Sequence, residues 1–292
     1  MGLGFQSRPS LSATAATVFL EASMPPGARS IFQRLLGAKN PAPAASAPSG
    51  ATLYVVGDVH GRLDLLHPLL RKIAFDAARF EDGGERELIF LGDYVDRGPD
   101  SRGVINLILS TMAEREFWTV TPLKGNHEAA LLGFMDDPTS WPGWSQFGAR
   151  ETLSSYGVDP PDWAAGEEDW TRASRELNAA VPLEHKSFLH GLELATERGD
   201  YLFAHAGVRP NVPLDMQTEQ DLLWIRDDFL RSERRLDKVI VHGHTPAEEA
   251  YLGEHRIGLD TGAYATNVLT AVKLKGTDRT LIQVRGPEDD KP

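Results

Sequence analysis

Three short segments each follow an apolar run and place metal-binding side chains just beyond it: Gly57-Asp58-Val59-His60-Gly61, Gly92-Asp93-Tyr94-Val95-Asp96-Arg97-Gly98 and Gly125-Asn126-His127-Glu128. Phe203-Ala204-His205-Ala206-Gly207 and His242-Gly243-His244-Thr245 repeat the pattern further along. Alone, an Asp-x-His pair is a surface turn. A chain that ends one apolar run after another in Asp, His or Asn beside glycine has to bring those ends together. The expected architecture is α/β, with the loops at the carboxyl ends of the strands sharing one crevice.

The donors are imidazole, carboxylate and amide oxygen, and the chain has no cysteine to add a thiol or form a disulfide. That mixture suits Mn²⁺, Fe or Zn²⁺. Two such cations supply the hydroxide and the electrophile that hydrolysis of a phosphate ester needs when no covalent intermediate forms. On this reading Asp58, His60 and Asp93 hold one cation, and Asp93, Asn126, His205 and His244 hold the other, with Asp93 as the bridge. Asn126 contributes an oxygen without charge, which leaves the site net positive for a phosphate dianion.

In this order the blocks GDVHG, GDYVDRG, GNHE, HAG and HGHT resemble those of the phosphoprotein phosphatase branch of the calcineurin-like metallophosphoesterases, particularly the short bacterial and phage serine/threonine phosphatases. The resemblance spans about Thr52 to Leu274. It implies a two-sheet β-sandwich flanked by helices, two divalent metal ions (manganese first, iron or zinc as alternatives), and hydrolysis of phosphoserine and phosphothreonine monoesters by in-line attack of a metal-bridging hydroxide. It further implies that His127 protonates the leaving group, that Asp96 fixes the His127 tautomer, and that Arg97 and Arg226 clamp the phosphate. The alternative for His127 is a third imidazole ligand. Arg226 rests on Leu223-Trp224-Ile225-Arg226, where short relatives carry Ser in place of Ile, and its alternative is a surface salt bridge. His242 is expected beside the ligands or at the phosphate. Ala206 stands where the family block has its middle Gly, a change small enough to spare His205.

Two other functions compete. One is hydrolysis of symmetrical dinucleoside polyphosphates, whose enzymes resemble this chain in the metal blocks and in Asp260-Thr261-Gly262. The other is a catalytically silent scaffold for phosphorylated partners, against which the full ligand set counts. Nothing matches the long C-terminal elements of eukaryotic relatives, so no dedicated regulatory subunit is implied, and the expected partner is the phosphorylated substrate.

At 292 residues and 41% apolar content the chain can bury a substantial core. Its formal charge of −12 argues against a nucleic-acid surface. No apolar run is long enough for a membrane span, the N-terminus is a poor secretory signal, and Gly2 lacks the Ser or Thr that myristoylation expects four residues on; a cytoplasmic enzyme is expected. Residues 1–50, rich in Ala, Pro, Ser and Gly, read as a disordered segment, with Ile31, Phe32, Leu35 and Leu36 at helical spacing and Met24 as an alternative start. The catalytic domain is assigned to 51–286 and a tail to 287–292. Helices are expected at Leu63–Ala78 and Ser101–Ala113, and strands at Leu53–Val56, Leu88–Leu91 and Thr119–Leu123. Residues 136–200, with Trp141, Trp144, Trp163 and Trp170, read as a helical cap insertion whose rings are either a small core or a base-stacking surface. Tyr201–Ala204, Lys238–Val241, Arg256–Leu259, Val268–Leu274 and Thr280–Val284 are assigned to a second sheet.

Overall fold

A computed structural model describes residues 44–79, 84–114, 118–162, 164–232, 234 and 236–287. The helical pattern around Ile31 to Leu36, Trp163 and the last five residues lie outside them. The compact unit begins at Ala45, earlier than the sequence reading placed it. Ala47 donates its N–H to Gly276, the Ser46 and Asp200 main chains are bonded, and Ala47 is buried against the strands. Residues 45–50 therefore belong to the folded domain: small side chains that cannot build a core of their own can still fill a seam in another.

The chain opens with β1 (Ala51–Val56), α1 (Leu63–Ala78), β2 (Glu85–Phe90), α2 (Ser101–Ala113) and β3 (Thr119–Pro122). These three strands are parallel and in register, Val55 facing Ile89 and Ile89 facing Thr121. Period-two alternation sends Leu53 and Val55 to one face of β1, and Tyr54 and Val56 to the other. The second face is covered by Leu66, Leu69 and Ile73 of α1 and by Val104, Ile105 and Ile108 of α2.

From there the chain forms α3 (Asn126–Asp136), α4 (Trp141–Trp144), α5 (Ala149–Ser155), α6 (Glu167–Ala180) and α7 (Leu183–His190). It returns through β4 (Ala195–Arg198), β5 (Tyr201–Ala204), α8 (Glu219–Trp224), α9 (Asp227–Leu230), β6 (Val239–His242), β7 (Tyr251–Leu252) and β8 (Arg256–Gly258), then α10 (Ala263–Thr266) and the hairpin β9 (Val268–Lys275) and β10 (Asp278–Arg285). The two sheets have strand orders β10-β9-β1-β2-β3 and β4-β5-β6-β8-β7. Between them lie Leu53, Val55, Ile89, Phe203, Val241, Ile257 and Val272. The outer face of the second sheet packs Leu202 and Ile240 against Leu222, Ile225 and Phe229. The result is a sandwich of two mixed sheets flanked by helices.

Two strand assignments change sheets. β9 pairs antiparallel with β1, Val272 opposite Val55, and β10 with β9, so the C-terminal hairpin completes the first sheet. The second sheet gains β4, which the sequence reading left inside the cap, and the short β7. Alternation of apolar residues marks a strand and its buried face but carries no record of its partner.

Candidate active site

The five glycine-flanked blocks all emerge from strand ends. β1 leads to Asp58 and His60, β2 to Asp93, Asp96 and Arg97, β3 to the start of α3 at Asn126 and His127, β5 to His205, and β6 to His244. Seven non-glycine residues have positive φ among those described, and five of them are His60, Asp93, Asp96, Arg97 and His244. A left-handed backbone is disfavoured for residues with a Cβ, and its concentration here means that packing and hydrogen bonds hold these loops where the local chain would not go. Gly243 shows how tight the site is: a Cβ there would collide with Asp58 Oδ1.

Of the predicted ligands, His60, Asp93, His205 and His244 fall into two tight donor groups, and His127, assigned as the acid, joins the first. His60, Asp93 and His127 present donor atoms that all lie within 4.8 Å of one another, as do Asp93, His205 and His244. Asp93 is common to both groups, with Oδ2 3.5 Å from His60 Nε2 and Oδ1 3.4 Å from His205 Nε2. Asn126 Oδ1 lies 2.9 Å from His205 Nε2 and 2.8 Å from His244 Nδ1. Asp58 accepts the His244 N–H through Oδ2 at 2.8 Å, while its Oδ1 is buried with no hydrogen-bond partner, as is His244 Nε2.

This donor set fits metal ions on physical grounds. His60 Nδ1 faces the Val95 carbonyl at 3.0 Å and His205 Nδ1 the Leu91 carbonyl at 2.8 Å, so those nitrogens carry the proton and Nε2 keeps its lone pair. Burial lowers the pKa of His60 to about 3 and of His244 to about 2, and lowers that of His205 too, which keeps the rings neutral. Asp58, Asp93, Asp96, Glu128 and Asp260 are all buried around them. Burial, then the Asp260 and Asp93 charges, pushes Asp58 well above the usual carboxylate range, and burial raises Asp260 to about 6. Neutral imidazoles and crowded, desolvated carboxylates are both relieved by a bound cation.

Beside this cluster stands the pair expected to move a proton. His127 Nδ1 is 2.7 Å from Asp96 Oδ2, which leaves Nε2, 3.8 Å from Asp93 Oδ2, as its open nitrogen. Burial alone would lower the His127 pKa, but the Asp93 and Asp96 carboxylates outweigh it and raise it. His60, Asp93, Asn126, His127 and His244 line a cavity of about 160 Å³ with Arg97 and Arg226. Arg97 is half-buried, its guanidinium lies 4.4 Å over the Tyr264 ring, and its Nε has no partner. Arg226 is exposed, and Nη1 reaches Thr245 Oγ1 at 3.4 Å.

Other predicted positions fall elsewhere. His242 is buried on β6 with its ring 5.1 Å from Phe229 and Nε2 3.3 Å from Arg256 Nη1, outside the cavity lining. Trp144 and Trp170 are buried against Phe134, and Trp141 stacks on Trp170 at 5.2 Å, so these three rings form a core and do not face the cavity. Sequence reasoning gave no role to Phe147, Trp224 and Tyr264, which do line it, or to Glu128, whose carboxylate anchors the Asp93 loop. Glu128 was visible in its block; the three rings are spread over separate elements with no shared spacing.

A sequence profile of the family described as calcineurin-like phosphoesterase matches residues 51–271. An asymmetrical bis(5'-nucleosyl)-tetraphosphatase of Oceanobacillus iheyensis is 26% identical over 250 residues, covering 80% of this chain and 92% of that protein. Serine/threonine-protein phosphatase 1 of Salmonella typhimurium is 27% identical over 232 residues, covering 76% and 92%. Among solved structures, a cold-active protein-tyrosine phosphatase of a psychrophilic Shewanella species superimposes with a TM-score of 0.53 at 18% identity, over 82% of this chain and 83% of that one. That last likeness speaks for the fold alone.

Proposed function

Because the chain belongs to the calcineurin-like phosphoesterase family, we propose that it is a metal-dependent phosphatase acting on phosphoserine and phosphothreonine side chains of proteins. The observation that carries this reading is the cavity of about 160 Å³ between Arg97, Arg226 and His127. Pockets that enclose a whole small molecule run to roughly 300–1,000 Å³. This one is smaller, so a substrate presents its phosphoryl group to it and keeps most of its bulk outside, as a side chain on a protein surface does.

Asp58, His60 and Asp93 would hold one divalent cation, and Asp93, Asn126, His205 and His244 the other, a donor set that suits manganese, iron or zinc. Bound there, the cations supply the electrophile for the phosphoryl oxygens and an acidified water. Arg97 and Arg226 hold phosphoryl oxygens and orient the ester. Asp96 holds the Nδ1–H of His127 and stabilises the imidazolium, which gives its Nε2 proton to the ester oxygen as water adds to phosphorus and the P–O bond breaks, so that the side chain departs as a neutral alcohol and His127 is left neutral.

A second reading has its own support. Phe147 and Trp224, which line the cavity, are aromatic rings of the kind on which a nucleobase stacks, and one relative above is a dinucleoside tetraphosphatase. Turnover of a phosphothreonine peptide and of diadenosine tetraphosphate, compared in Mn²⁺ after chelator stripping, decides between them. Preference for the peptide supports the protein phosphatase; preference for the dinucleotide replaces it.

A further inference from the structure

We infer that the cap serves the chemistry from behind, with Trp144 and Thr152 as positioning residues that hold the Asp96 carboxylate and, through it, the His127 ring. The inference rests on the role of His127 as the acid. Trp144 Nε1 donates to Asp96 Oδ2 at 3.0 Å, the same oxygen that faces His127 Nδ1 at 2.7 Å. Thr152 Oγ1 donates to the other oxygen, Oδ1, at 2.6 Å. Both carboxylate oxygens of a side chain with 0% exposure are thus engaged from the cap.

The grip extends to the main chain. Asp96 N–H points at Thr152 Oγ1 (2.9 Å) and at Ser101 Oγ (3.1 Å). The single Thr152 hydroxyl proton is spent on Asp96, so Ser101 is the donor in the 3.0 Å pair between the two hydroxyls. One residue on, Arg97 N–H donates to the Gly148 carbonyl at 3.2 Å. Gly148 has φ 91°, and a Cβ there would collide with the Arg97 main chain. Asp96 and Arg97 sit at φ 70° and 68°, so this turn needs an external clamp. The Phe147 ring, also from the cap, lies 5.1 Å from His127. Rotation of an unclamped Asp96 would carry the imidazole with it, and a proton donor displaced by an ångström loses much of its effect.

The test measures kcat and KM of the full-length Mn²⁺ enzyme on phenyl phosphate, whose leaving group needs a proton, and on 2,4-dinitrophenyl phosphate, whose leaving group does not. Trp144→Phe keeps an aromatic ring beside Phe134 but has no N–H; Thr152→Val keeps the shape but has no hydroxyl. Each is expected to lower kcat on phenyl phosphate about tenfold, part of the roughly 10²–10⁴-fold available to an acid. The loss on the dinitrophenyl ester should be at least about fivefold smaller, KM should hold within about twofold, and Thr152→Ser should restore the rate. His127→Asn is run alongside. Equal losses on both esters in that variant overturn the acid and this inference together. A leaving-group-dependent loss in His127→Asn, with equal or no losses in the cap variants, overturns the inference alone. If Trp144→Phe does not fold, the Val and Ser variants of Thr152 decide the matter.

Discussion

Glu128 Oε2 accepts the backbone N–H of Asp93 at 2.8 Å, across 35 residues of sequence. The same carboxylate accepts the N–H groups of Tyr94 (2.7 Å), Val95 (3.2 Å) and Gly125 (2.9 Å). Asp93, at φ 52°, is the residue that both ligand groups share. A buried side chain therefore fixes the centre of the site by gathering the main chain of the two loops that build it.

Replacing Glu128 by Gln leaves one acceptor oxygen and turns an NH₂ group onto donors that need an acceptor. Unfolding of the metal-free variant in urea should show a loss of roughly 2–3 kcal/mol, the scale of buried hydrogen bonds to a charged group. Calorimetric titration should show Mn²⁺ bound about 10–100-fold more weakly, as when outer partners of metal ligands are removed. Wild-type values for both would mean that the Asp93 loop is held by something else.

The shared position of Asp93 separates its variants from those of a ligand that serves one group. Asp93→Ala should reduce bound metal from about two ions per chain to near none, whereas His60→Ala should leave about one. Elemental analysis after equilibration with Mn²⁺ and gel filtration reads this directly. Retention of about one ion by Asp93→Ala would place the second site on other residues.

The residues that converge were legible because they sit in compact blocks immediately after strands, and a strand-loop boundary is marked by glycine and by the end of an apolar run. The helices at Leu63–Ala78 and Ser101–Ala113 were legible for a similar reason: their apolar stripes are local. What escaped depends on pairing over distance. Val272 meets Val55 in the first sheet, and Ala47 meets Gly276, with nothing in either segment naming its partner. Trp144 was conspicuous, yet its N–H to Asp96 is a property of the fold and not of composition.

Asp76 on α1 gives a pH test away from the candidate metal ligands. It accepts from Lys273 Nζ at 2.9 Å and from Tyr54 Oη at 2.7 Å, tying the helix to β9 and β1. Burial would raise its pKa, but Lys273 and Tyr54 outweigh that and hold it below 3.8. A folded pKa below the unfolded one means that the contribution is present above 3.8 and fades as pH falls through the folded value. The pair is partly exposed, so its worth is under about 1 kcal/mol. Asp76→Asn should therefore be less stable than wild type at pH 6, with the gap closing toward pH 3. A constant gap in urea midpoints across that range would show that the carboxylate charge is not what matters.

Arg97 and Arg226 should not be equivalent. Arg97 is half-buried, stacked on Tyr264 and left with an unpartnered Nε, so its guanidinium is already oriented before a phosphate arrives. Arg226 is exposed, the one hydrogen bond of its side chain among the described residues being the 3.4 Å contact to Thr245, and its guanidinium must be immobilised on binding. Lysine keeps the charge of Arg97 but cannot form the planar fork or the stack. Arg97→Lys should lower kcat/KM on phenyl phosphate by about 10–100-fold, the worth of one charge-assisted hydrogen bond. Arg226→Lys should cost less than about tenfold, because a flexible point charge replaces a flexible fork. Inorganic phosphate inhibition measured on the same variants should weaken in the same order. Arg226→Lys proving the more damaging of the two would make the exposed arginine the principal clamp and reduce Arg97 to shaping the cavity wall.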